Sequence, residues 1–459
     1  MSTMLVGILG MARSGRAAAQ LALKQGHRVY VSDSGDTASL RETARSLEQI
    51  GAEVELGGHS IERLAQCNLI VISPGIPPSA AVLRHPEVRR VKRVSELEFA
   101  FWFLDAPVIA VTGTNGKSTT TALISHLLKR AGLVAPAAGN IGVALSEIAL
   151  LDDQPDWVVV EASSFQLAEI EKFTPRIGLV TNLAPDHLDR YDSVESYYAD
   201  KARLFRNANQ SSVWVLNGDD KATVALPGNA KGRRFYFRIS GELPPGEVGG
   251  FINRKQELML RLATDDSLLI PANELRLLGA HNLANALAAA IAAAAAGIPL
   301  ESIHDGLISF RGLPHRLEVL GKYDGVLWIN DSKATNVAST RVALESMTQP
   351  TILLLGGRHK GEPYTTLLPA IRQHVRHVIA YGEAAPEIVQ DLSDQVSVEH
   401  VDGGFEDVIE RAGELAQEGD AVLLSPACAS FDMFDNYEQR GDRFRALVAG
   451  RKQVANGSH

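Results

Sequence analysis

The sequence predicts an α/β protein of three domains, each built around a parallel sheet. Short Val, Ile and Leu runs alternate with helix-like segments along nearly all of the 459 residues, a pattern typical of parallel strands covered by helices. At about 150 residues per domain, this length allows three domains that each bury a core. Polar motifs follow most of the apolar runs. They are therefore expected at the carboxyl ends of strands, where open α/β sheets bind ligands.

The composition excludes several classes of protein. A net charge of -9, with no block of Lys and Arg, disfavours a nucleic-acid binder. Cys67 and Cys428 are far apart in the chain, which indicates free thiols in a reducing compartment. The start lacks the basic segment of a signal peptide, and the apolar stretch 283–298 is Ala-rich, which indicates a packed helix. We therefore expect a cytoplasmic protein with no nucleic-acid or membrane partner. We also expect a monomer.

Residues 1–95 are predicted to form a Rossmann-like first domain. The glycines after its first apolar run do not complete the G-x-G-x-x-G pattern of dinucleotide sites. Asp33 and the Gly-rich turn suit a nucleoside diphosphate, although a purely structural glycine turn explains these residues equally well. The apolar runs that precede its polar loops are residues 5–9, 29–31 and 69–72.

Residues 96–312 are predicted to form a central P-loop domain. The apolar run 108–111 leads into a glycine turn and a helix, an arrangement whose N–H groups bind phosphate oxygens. Lys117 adds a point charge, and the Ser118 hydroxyl can ligate Mg²⁺. Val111 stands where the general P-loop has glycine, so the loop is a tighter form. An ordinary glycine turn is the disfavoured alternative.

Candidate metal ligands follow two further apolar runs of the central domain. Glu161 follows residues 157–160, and Asp186, His187 and Asp189 follow residues 177–181. A carboxylate and an imidazole beside a triphosphate suit Mg²⁺, which takes few protein ligands. A solvated turn is the alternative for an isolated D-H-x-D, but the neighbouring phosphate loop favours a metal site.

Residues 313–459 are predicted to form a Rossmann-like last domain. It begins near Gly312-Leu313-Pro314, where a helical pattern is broken. Polar loops again follow its apolar runs, at residues 326–329, 351–355 and 421–424.

Taken together, these motifs resemble the Mur ligase family, in order through all three domains. They are T-G-T-N-G-K-S-T from Thr112, E-A-S-S-F-Q-L from Glu161, N-x-x-x-D-H-x-D-R from Asn182, H-N-x-x-N from His281, L-P-H-R from Leu313 and N-D-S-K-A-T-N from Asn330. Within the family, the S-P-A-C-A-S-F-D-x-F motif from Ser425, the Arg440-Gly441 pair and the G-G-x-x-K loop resemble the members that add D-glutamate.

The resemblance implies an ATP-dependent ligase that adds D-glutamate to UDP-N-acetylmuramoyl-L-alanine through an acyl phosphate, in peptidoglycan precursor synthesis. Phosphoryl transfer needs positioning and charge neutralisation, which a glycine loop, a lysine and Mg²⁺ supply. The alternatives are another Mur ligase, a folylpolyglutamate synthetase-like ligase, or a nucleotide-binding regulator without turnover. The S-P-A-C-A-S-F-D motif disfavours the first two. The combination of Lys117, Glu161, His187 and Lys333 disfavours the regulator.

The resemblance also implies roles for individual residues in ATP and metal binding. A helix N-terminal cap is the alternative role for Asn282 and Asn285. Arg316 and Asp331 would reach ATP as the last domain closes on it. The implied ATP-binding residues are Gly113, Thr114, Asn115, Gly116, Lys117, Ser118, Thr119, Asn282, Asn285, Arg316 and Asp331. Two Mg²⁺ ions are implied, with the ligands Ser118, Glu161, His187 and Lys201, and the implied catalytic residues are Lys117, His187, Lys201 and Lys333.

Two further sets of residues are implied to bind substrates. The Met11-Ala12-Arg13 segment departs from the family's pattern in the first loop. The set for the UDP-linked substrate is Ser14, Asp33, Ser34, Ser73, Gly75 and Asn140, and the set for D-glutamate is Thr335, Lys360, Ser430, Phe431 and Tyr437. Ser163 and Gln166 are also implied to bind substrate, without assignment to one of the two.

Lys201 is implied to be carbamylated. An ammonium group beside Mg²⁺ would be repelled, whereas a CO₂ adduct of the lysine supplies a carboxylate. Carbamate formation needs a neutral amine, so the site must lower the pKa of Lys201, as a neighbouring cation would. The alternative is a surface lysine on an amphipathic helix.

Overall fold

The computed structural model describes residues 3–186 and 190–455 and divides into two compact units. Unit 1 contains the chain up to Ala272 together with Ala284–Leu307, and unit 2 contains Asn273–Leu283 together with the chain from Ile308 onward.

The strands of the described residues are β1 (Leu5–Leu9), β2 (Arg28–Asp33), β3 (Glu53–Leu56), β4 (Leu69–Ile72), β5 (Arg93–Ser95), β6 (Val108–Thr112), β7 (Ala137–Gly139), β8 (Val158–Glu161), β9 (Ile177–Val180), β10 (Val213–Asn217), β11 (Arg233–Arg238), β12 (Gly249–Ile252), β13 (Glu257–Arg261), β14 (Asp266–Pro271), β15 (Glu318–Tyr323), β16 (Val326–Asn330), β17 (Thr351–Gly356), β18 (Val375–Tyr381), β19 (Val398–His400) and β20 (Ala421–Leu424).

The α-helices are α1 (Arg13–Lys24), α2 (Ala38–Gln49), α3 (Ile61–Ala65), α4 (Ala81–Arg84), α5 (Glu96–Phe101), α6 (Lys117–Arg130), α7 (Leu145–Ala149), α8 (Ser164–Ala168), α9 (Val194–Ala202), α10 (Lys221–Ala225), α11 (Ala280–Ala295), α12 (Leu300–Ser309), α13 (Val337–Glu345), α14 (Leu368–His374), α15 (Ala385–Leu392), α16 (Phe405–Leu415) and α17 (Tyr437–Ala455).

The first sheet of unit 1 is fully parallel, in the order β3-β2-β1-β4-β5. Its central strands β1 and β4 are apolar and buried nearly throughout, as expected for strands covered on both faces. The strand order reverses between β1 and β4, which is where a doubly wound sheet opens its ligand crevice. The predicted Rossmann-like arrangement is confirmed.

The second sheet of unit 1 has the order β14-β13-β12-β11-β10-β9-β6-β8-β7. The strands from β12 to β7 are parallel, which agrees with the predicted parallel-sheet domain. The pairs β12–β13 and β13–β14 are antiparallel, and this meander was not predicted. Helices α1, α5 and α7 pack against one another between the first and second sheets.

The sheet of unit 2 has the order β15-β16-β20-β17-β18-β19 and is parallel apart from its edge strand β15. Strands β16, β20 and β17 are neighbours, so the loops that follow them meet at one edge. Among the described residues, no helix combines the length and the apolar character needed to cross a membrane.

Candidate active site

The phosphate loop, residues 113–116, connects β6 to the fourteen-residue helix α6. Gly113 has a φ of 137°, and Gly116, the N-cap of α6, has a φ of 82°. A Cβ on Gly113 would lie 2.0 Å from Thr181 Oγ1, and one on Gly116 would lie 2.4 Å from Asn285 Oδ1. Both positions therefore require glycine. The loop leads directly into the N-terminus of α6, and a helix N-terminus favours the binding of anions.

The segment after β9 supports the phosphate loop with hydrogen bonds that we did not predict. Thr114 N donates to Asn182 O at 2.8 Å, and Asn115 N donates to Asn182 Oδ1 at 2.9 Å. Thr181 Oγ1 donates to Asn115 O at 2.6 Å, and Tyr197 OH donates to Thr114 Oγ1 at 3.4 Å. Asn182 already stood in a recognised motif, whereas nothing in the sequence pattern indicates that Thr181 and Tyr197 face this loop.

Lys117 begins α6, and its Nζ donates to the carbonyl oxygen of Thr114 at 2.8 Å. The ammonium group therefore lies against the loop that is predicted to hold phosphates. Ser118 and Thr119 follow in the first helical turn and are both buried. This part of the predicted site is brought together by a single strand, loop and helix.

Glu161 ends β8 beside the strand that leads to the phosphate loop. It pairs with Val111 of β6, and its side chain is buried, with 1% exposed. Its Oε1 accepts a hydrogen bond from Asn140 Nδ2 at 2.9 Å, while its Oε2 has no hydrogen-bond partner among the described residues. A buried carboxylate oxygen that lacks a hydrogen-bond donor suits a hard cation, so the Glu161 carboxylate fits Mg²⁺.

The predicted ligands His187 and Asp189 lie outside the described residues. Asp186, which precedes them, is exposed. Within residues 3–186 and 190–455, no group of three or more His, Cys, Asp and Glu side chains is arranged to hold a metal ion.

Lys201 lies in α9, and its side chain is buried against the phosphate loop, with 1% exposed. Its Nζ donates to Gly113 O at 2.7 Å and lies 4.4 Å from the centre of the Tyr197 ring. Burial, and then the charge of Lys117, lower the pKa of Lys201 to about 7, against the opposing effects of Asp186 and Glu161. The alternative of a surface lysine is therefore wrong.

Ser163 and Gln166 form a capping box at the start of α8. Ser163 Oγ accepts from Gln166 N at 3.3 Å, and Gln166 Oε1 accepts from Ser163 N at 3.0 Å. The two predicted substrate residues thus have a structural role in any case. Gln166 also lines a cavity of about 300 Å³ with Ser73, Phe165 and Tyr191.

The predicted residues of the first sheet lie at the carboxyl ends of β1, β2 and β4. Asp33 joins two of these loops, because its Oδ2 accepts from Met11 N at 2.7 Å and its Oδ1 accepts from Gly35 N at 2.8 Å. The Ser73 hydroxyl donates to Gly10 O at 3.3 Å. Ser34 and Gly75 are exposed, and Ser14 is half-buried in the first turn of α1.

The two asparagines predicted to bind ATP lie inside α11. Asn285 Oδ1 accepts a hydrogen bond from Thr120 Oγ1 at 3.2 Å, which places it against α6 within unit 1. Asn282 Nδ2 donates to Leu278 O at 2.7 Å within unit 2. The alternative role as N-terminal caps is wrong, because α11 begins at Ala280.

In unit 2, Asp331 follows β16 and is buried. Its Oδ2 accepts from Ser425 Oγ at 2.8 Å, and its Oδ1 accepts from Leu317 N at 3.1 Å. Burial raises the pKa of Asp331 to about 7, although these hydrogen bonds and the charges of Arg316 and Arg440 oppose the shift.

The chain around Arg316 adopts a strained conformation. His315 and Leu317, on either side, have φ values of 61° and 43°. Such backbone costs of order 1–3 kcal/mol per residue and clusters at functional sites. Lys333 N donates to His315 O at 3.0 Å, so this segment is fastened to the loop after β16.

The residues predicted to bind D-glutamate lie on neighbouring strand-end loops of unit 2. Lys360 Nζ donates to Thr335 Oγ1 at 3.4 Å, and Lys333 Nζ lies 5.5 Å from the ring centre of Tyr437. Ser430 is buried, whereas the Phe431 side chain is 61% exposed. A two-way backbone pairing of Arg358 with Ala429 joins the loops after β17 and β20.

Arg440 is a component of this region whose role we did not predict. Its side chain is 1% exposed and donates to Ser332 Oγ at 2.9 Å, Ser332 O at 2.8 Å, Cys428 O at 3.2 Å and Gly356 O at 3.4 Å. Gly356 is the last residue of β17, and Ser332 and Cys428 lie in the loops after β16 and β20. The Arg440-Gly441 pair of the recognised motif was the signal for this residue, but its burial was not evident.

Comparisons with known proteins agree with this arrangement. Three family models match in order: "Mur ligase MurD-like, N-terminal domain" at residues 4–94, "Mur ligase middle domain" at 111–293 and "Mur ligase, glutamate ligase domain" at 315–428. Two similar relatives, each named UDP-N-acetylmuramoylalanine–D-glutamate ligase, come from Salinibacter ruber and Christiangramia forsetii. The first is 42% identical over 96% of both chains, and the second is 39% identical over 96% of this chain and 98% of its own.

Solved structures share the fold at lower identity. A UDP-N-acetylmuramate–alanine ligase of Thermotoga maritima aligns with a TM-score of 0.59 at 19% identity, over 98% of this chain and 100% of its own. MurF of Acinetobacter baumannii aligns with a TM-score of 0.60 at 16% identity, over 97% of this chain and 93% of its own. The predicted fold class is confirmed, and the chain belongs to the Mur ligase family.

Proposed function

We propose that this chain is an ATP-dependent ligase that joins D-glutamate to UDP-N-acetylmuramoyl-L-alanine, a step of peptidoglycan precursor synthesis. One observation carries the proposal. The phosphate loop, the buried Glu161 carboxylate and the buried Lys201 lie together in a chain that is 42% identical to a relative named for this reaction.

The chemistry requires activation of a carboxylate, because a carboxylate is a poor electrophile. A substrate carboxylate oxygen attacks the γ-phosphorus of ATP, which gives an acyl phosphate and releases ADP. The amine nitrogen of D-glutamate then attacks the carbonyl carbon, inorganic phosphate leaves, and the nitrogen loses a proton as the amide forms. Positioning and charge neutralisation are the main demands of the phosphoryl transfer.

Lys117 neutralises the β- and γ-phosphates in this proposal, and Lys333 lies close to the transferred phosphoryl group. The position of Lys117 at the start of α6, against the Thr114 carbonyl, supports its assignment. Asn282, Asn285, Arg316 and Asp331 complete the nucleotide contacts.

Mg²⁺ supplies further charge neutralisation on the phosphates when it is bound. We assign Ser118 and Glu161 to one ion, which the unpartnered Glu161 Oε2 supports. We assign His187 and a carbamylated Lys201 to a second ion. A lysine with a pKa near 7 presents a large fraction of neutral amine at physiological pH. In that form the nitrogen attacks the carbon of CO₂ and loses a proton as the carbamate forms.

The substrate assignments follow the two sets of strand-end loops. D-glutamate carries two carboxylates, for which Lys360 offers a cation and Thr335 and Ser430 offer hydroxyls. The Phe431 backbone and Tyr437 border this set. For the UDP-linked substrate we retain Ser14, Asp33, Ser34, Ser73, Gly75 and Asn140. We assign Ser163 and Gln166 to the same substrate, because Gln166 lines a cavity together with Ser73.

We further propose a monomeric cytoplasmic enzyme with domains at residues 1–95, 96–312 and 313–459. Each of these ranges contains one of the three sheets, which supports the division.

The test is phosphate release in the presence of ATP and Mg²⁺, with each co-substrate omitted in turn. Release should require both UDP-N-acetylmuramoyl-L-alanine and D-glutamate. The Lys117→Ala variant should be inactive while remaining folded. Comparable turnover with L-alanine or meso-diaminopimelate in place of D-glutamate would assign the chain to another Mur ligase. ATP binding without turnover would favour the regulator.

A further inference from the structure

Arg13, in the segment that departs from the family's pattern, joins α1 to a loop of the second sheet. Its Nε and Nη2 donate to the two carboxylate oxygens of Glu147 at 2.7 and 3.0 Å. Its Nη1 donates to the carbonyl oxygen of Gly142 at 2.6 Å. One planar guanidinium group therefore binds a carboxylate with two hydrogen bonds and a backbone carbonyl with a third, a geometry that lysine cannot reproduce.

Gly142 belongs to the tight loop 139–143, which begins at the last residue of β7. The loop is held by its own backbone, because Gly139 N donates to Val143 O at 2.9 Å and Asn140 N donates to Glu161 O at 3.0 Å. Gly142 has a φ of 70°, and a Cβ there would lie 2.4 Å from Ala137 O. Arg13 fastens this loop from the side of the first sheet.

Asn140, two residues before Gly142, connects the loop to the Glu161 carboxylate that we assign to Mg²⁺. Its Nδ2 donates to Glu161 Oε1 at 2.9 Å, while the residue as a whole is exposed. Asn140 is also among the residues assigned to the UDP-linked substrate. The position of loop 139–143 therefore affects both the Glu161 carboxylate and the proposed site for the UDP-linked substrate.

We propose that Arg13 is a positioning residue that acts through Gly142 and Glu147 to hold Asn140 in place for the UDP-linked substrate and for Glu161. The inference deepens the proposed function and rests on it. In this role Arg13 does not contact the diphosphate, since its guanidinium group is directed at Glu147 and Gly142.

A second cation on the same helix provides a matched control. Lys24, in the last turn of α1, donates to Leu150 O at 2.8 Å and to Asp152 at 2.7 Å, beyond the end of α7. It ties α1 to the same neighbouring region but has no hydrogen bond to loop 139–143. A general loss of attachment between α1 and α7 would affect Lys24→Ala as much as Arg13→Ala.

The experiment compares Arg13→Ala, Glu147→Gln, the double variant and Lys24→Ala. Arg13→Ala and Glu147→Gln should each raise the KM for UDP-N-acetylmuramoyl-L-alanine about fivefold, the scale of a well-formed partly exposed ion pair. The double variant should show no further increase over Arg13→Ala, because Glu147 acts through Arg13. The KM for D-glutamate should not change, and Lys24→Ala should match the wild type.

Amide hydrogen exchange of the substrate-free protein gives a second readout. The amides of Gly139 and Asn140 should exchange faster in Arg13→Ala and Glu147→Gln than in the wild type and Lys24→Ala. If Arg13→Ala weakens substrate binding while Glu147→Gln leaves it unchanged, Arg13 contacts the diphosphate directly and the inference is wrong. Unchanged exchange in both variants would also overturn it. If the wild type does not turn over the UDP-linked substrate, the proposed function fails, whereas the exchange result still decides whether Arg13 holds the loop.

Discussion

The burial of Lys201 has a chemical consequence that an exposed lysine would not have. An amine with a pKa of about 7 is increasingly neutral above that pH, so reaction with CO₂ should rise between about pH 6 and pH 8. An unmodified, protonated Lys201 would instead place a second cation next to Lys117. Repulsion between these two charges is one cause of the lowered pKa of Lys201.

Lys201→Ala should lose most ligase activity and recover part of it with added acetate. The small carboxylate can occupy the oxygen position that the carbamate would provide to Mg²⁺. Initial rates with and without acetate measure this effect. Lys129→Ala, at an exposed lysine in the last turn of α6, is the control and should be fully active without acetate. Full activity of Lys201→Ala without acetate would remove the carbamate from the mechanism.

Asp331 should make stability depend on pH in a defined direction. Its pKa is about 7 in the folded protein and about 3.9 in an unfolded chain. Between these values the folded state keeps a proton that the unfolded state releases, so the contribution of Asp331 to stability falls as pH rises from about 4 to about 7. Asp331→Asn does not titrate and should lack this dependence.

Urea unfolding of the wild type and Asp331→Asn at pH 5 and pH 7.5 measures the effect. The free energy of unfolding of the wild type should fall relative to that of the variant between the two pH values. An equal difference at both pH values would show that Asp331 is already ionised in the folded protein at pH 5.

At the scale of elements, Arg440 of α17 joins the end of β17 to the loops after β16 and β20. Arg440→Met would leave the carbonyl oxygens of Ser332, Gly356 and Cys428 without this donor inside the protein. Each buried acceptor left without a partner costs about 1–3 kcal/mol, so we expect a loss of about 3 kcal/mol or more in the free energy of unfolding.

The loss should extend to catalysis, because the loops after these strands carry Lys333, Lys360 and Ser430. In Arg440→Met the melting temperature should fall and the KM for D-glutamate should rise. Arg443→Ala, on the same helix, removes an exposed ion pair with Glu406 and is the control. A variant Arg440→Met with an unchanged melting temperature would contradict the structural role.

The strands differ in how well they could be predicted from the sequence. The apolar runs 5–9, 69–72 and 421–424 coincide with β1, β4 and β20, because a buried parallel strand is continuous in hydrophobicity. The meander from β12 to β14 was missed. Its middle strand β13 alternates between two faces and carries the charged residues Glu257 and Arg261, so it lacks that continuous signal.

At single residues, the predicted glycine turn between β6 and α6 is present, and its backbone demands glycine. Gly113 and Gly116 have no alternative, since any Cβ would collide with Thr181 or Asn285. The prediction was less informative for Arg440, whose burial was not evident. Lysine and arginine are almost never fully buried, so sequence pattern alone favours an exposed position that tertiary packing overrides.

At the scale of the whole molecule, the residues assigned to the two co-substrates fall in different compact units. The contacts proposed for the UDP-linked substrate, from Ser14 to Gln166, all belong to unit 1. The contacts proposed for D-glutamate, from Thr335 to Tyr437, all belong to unit 2. The first group includes loops of two different sheets, and the Arg13 contacts with Glu147 and Gly142 join those sheets within the one unit.

Each co-substrate alone should therefore protect the amides of one unit. UDP-N-acetylmuramoyl-L-alanine should slow hydrogen exchange in the loops after β1, β4 and β7, because a ligand stabilises the local structure that it binds. D-glutamate should slow exchange in the loops after β16, β17 and β20. Exchange followed by mass spectrometry on peptides from these six loops measures both effects, and helix α2, which carries none of the assigned residues, serves as the internal control. Protection by the UDP-linked substrate that was confined to the loops of unit 2 would contradict the assignment, because none of its proposed contacts lies there.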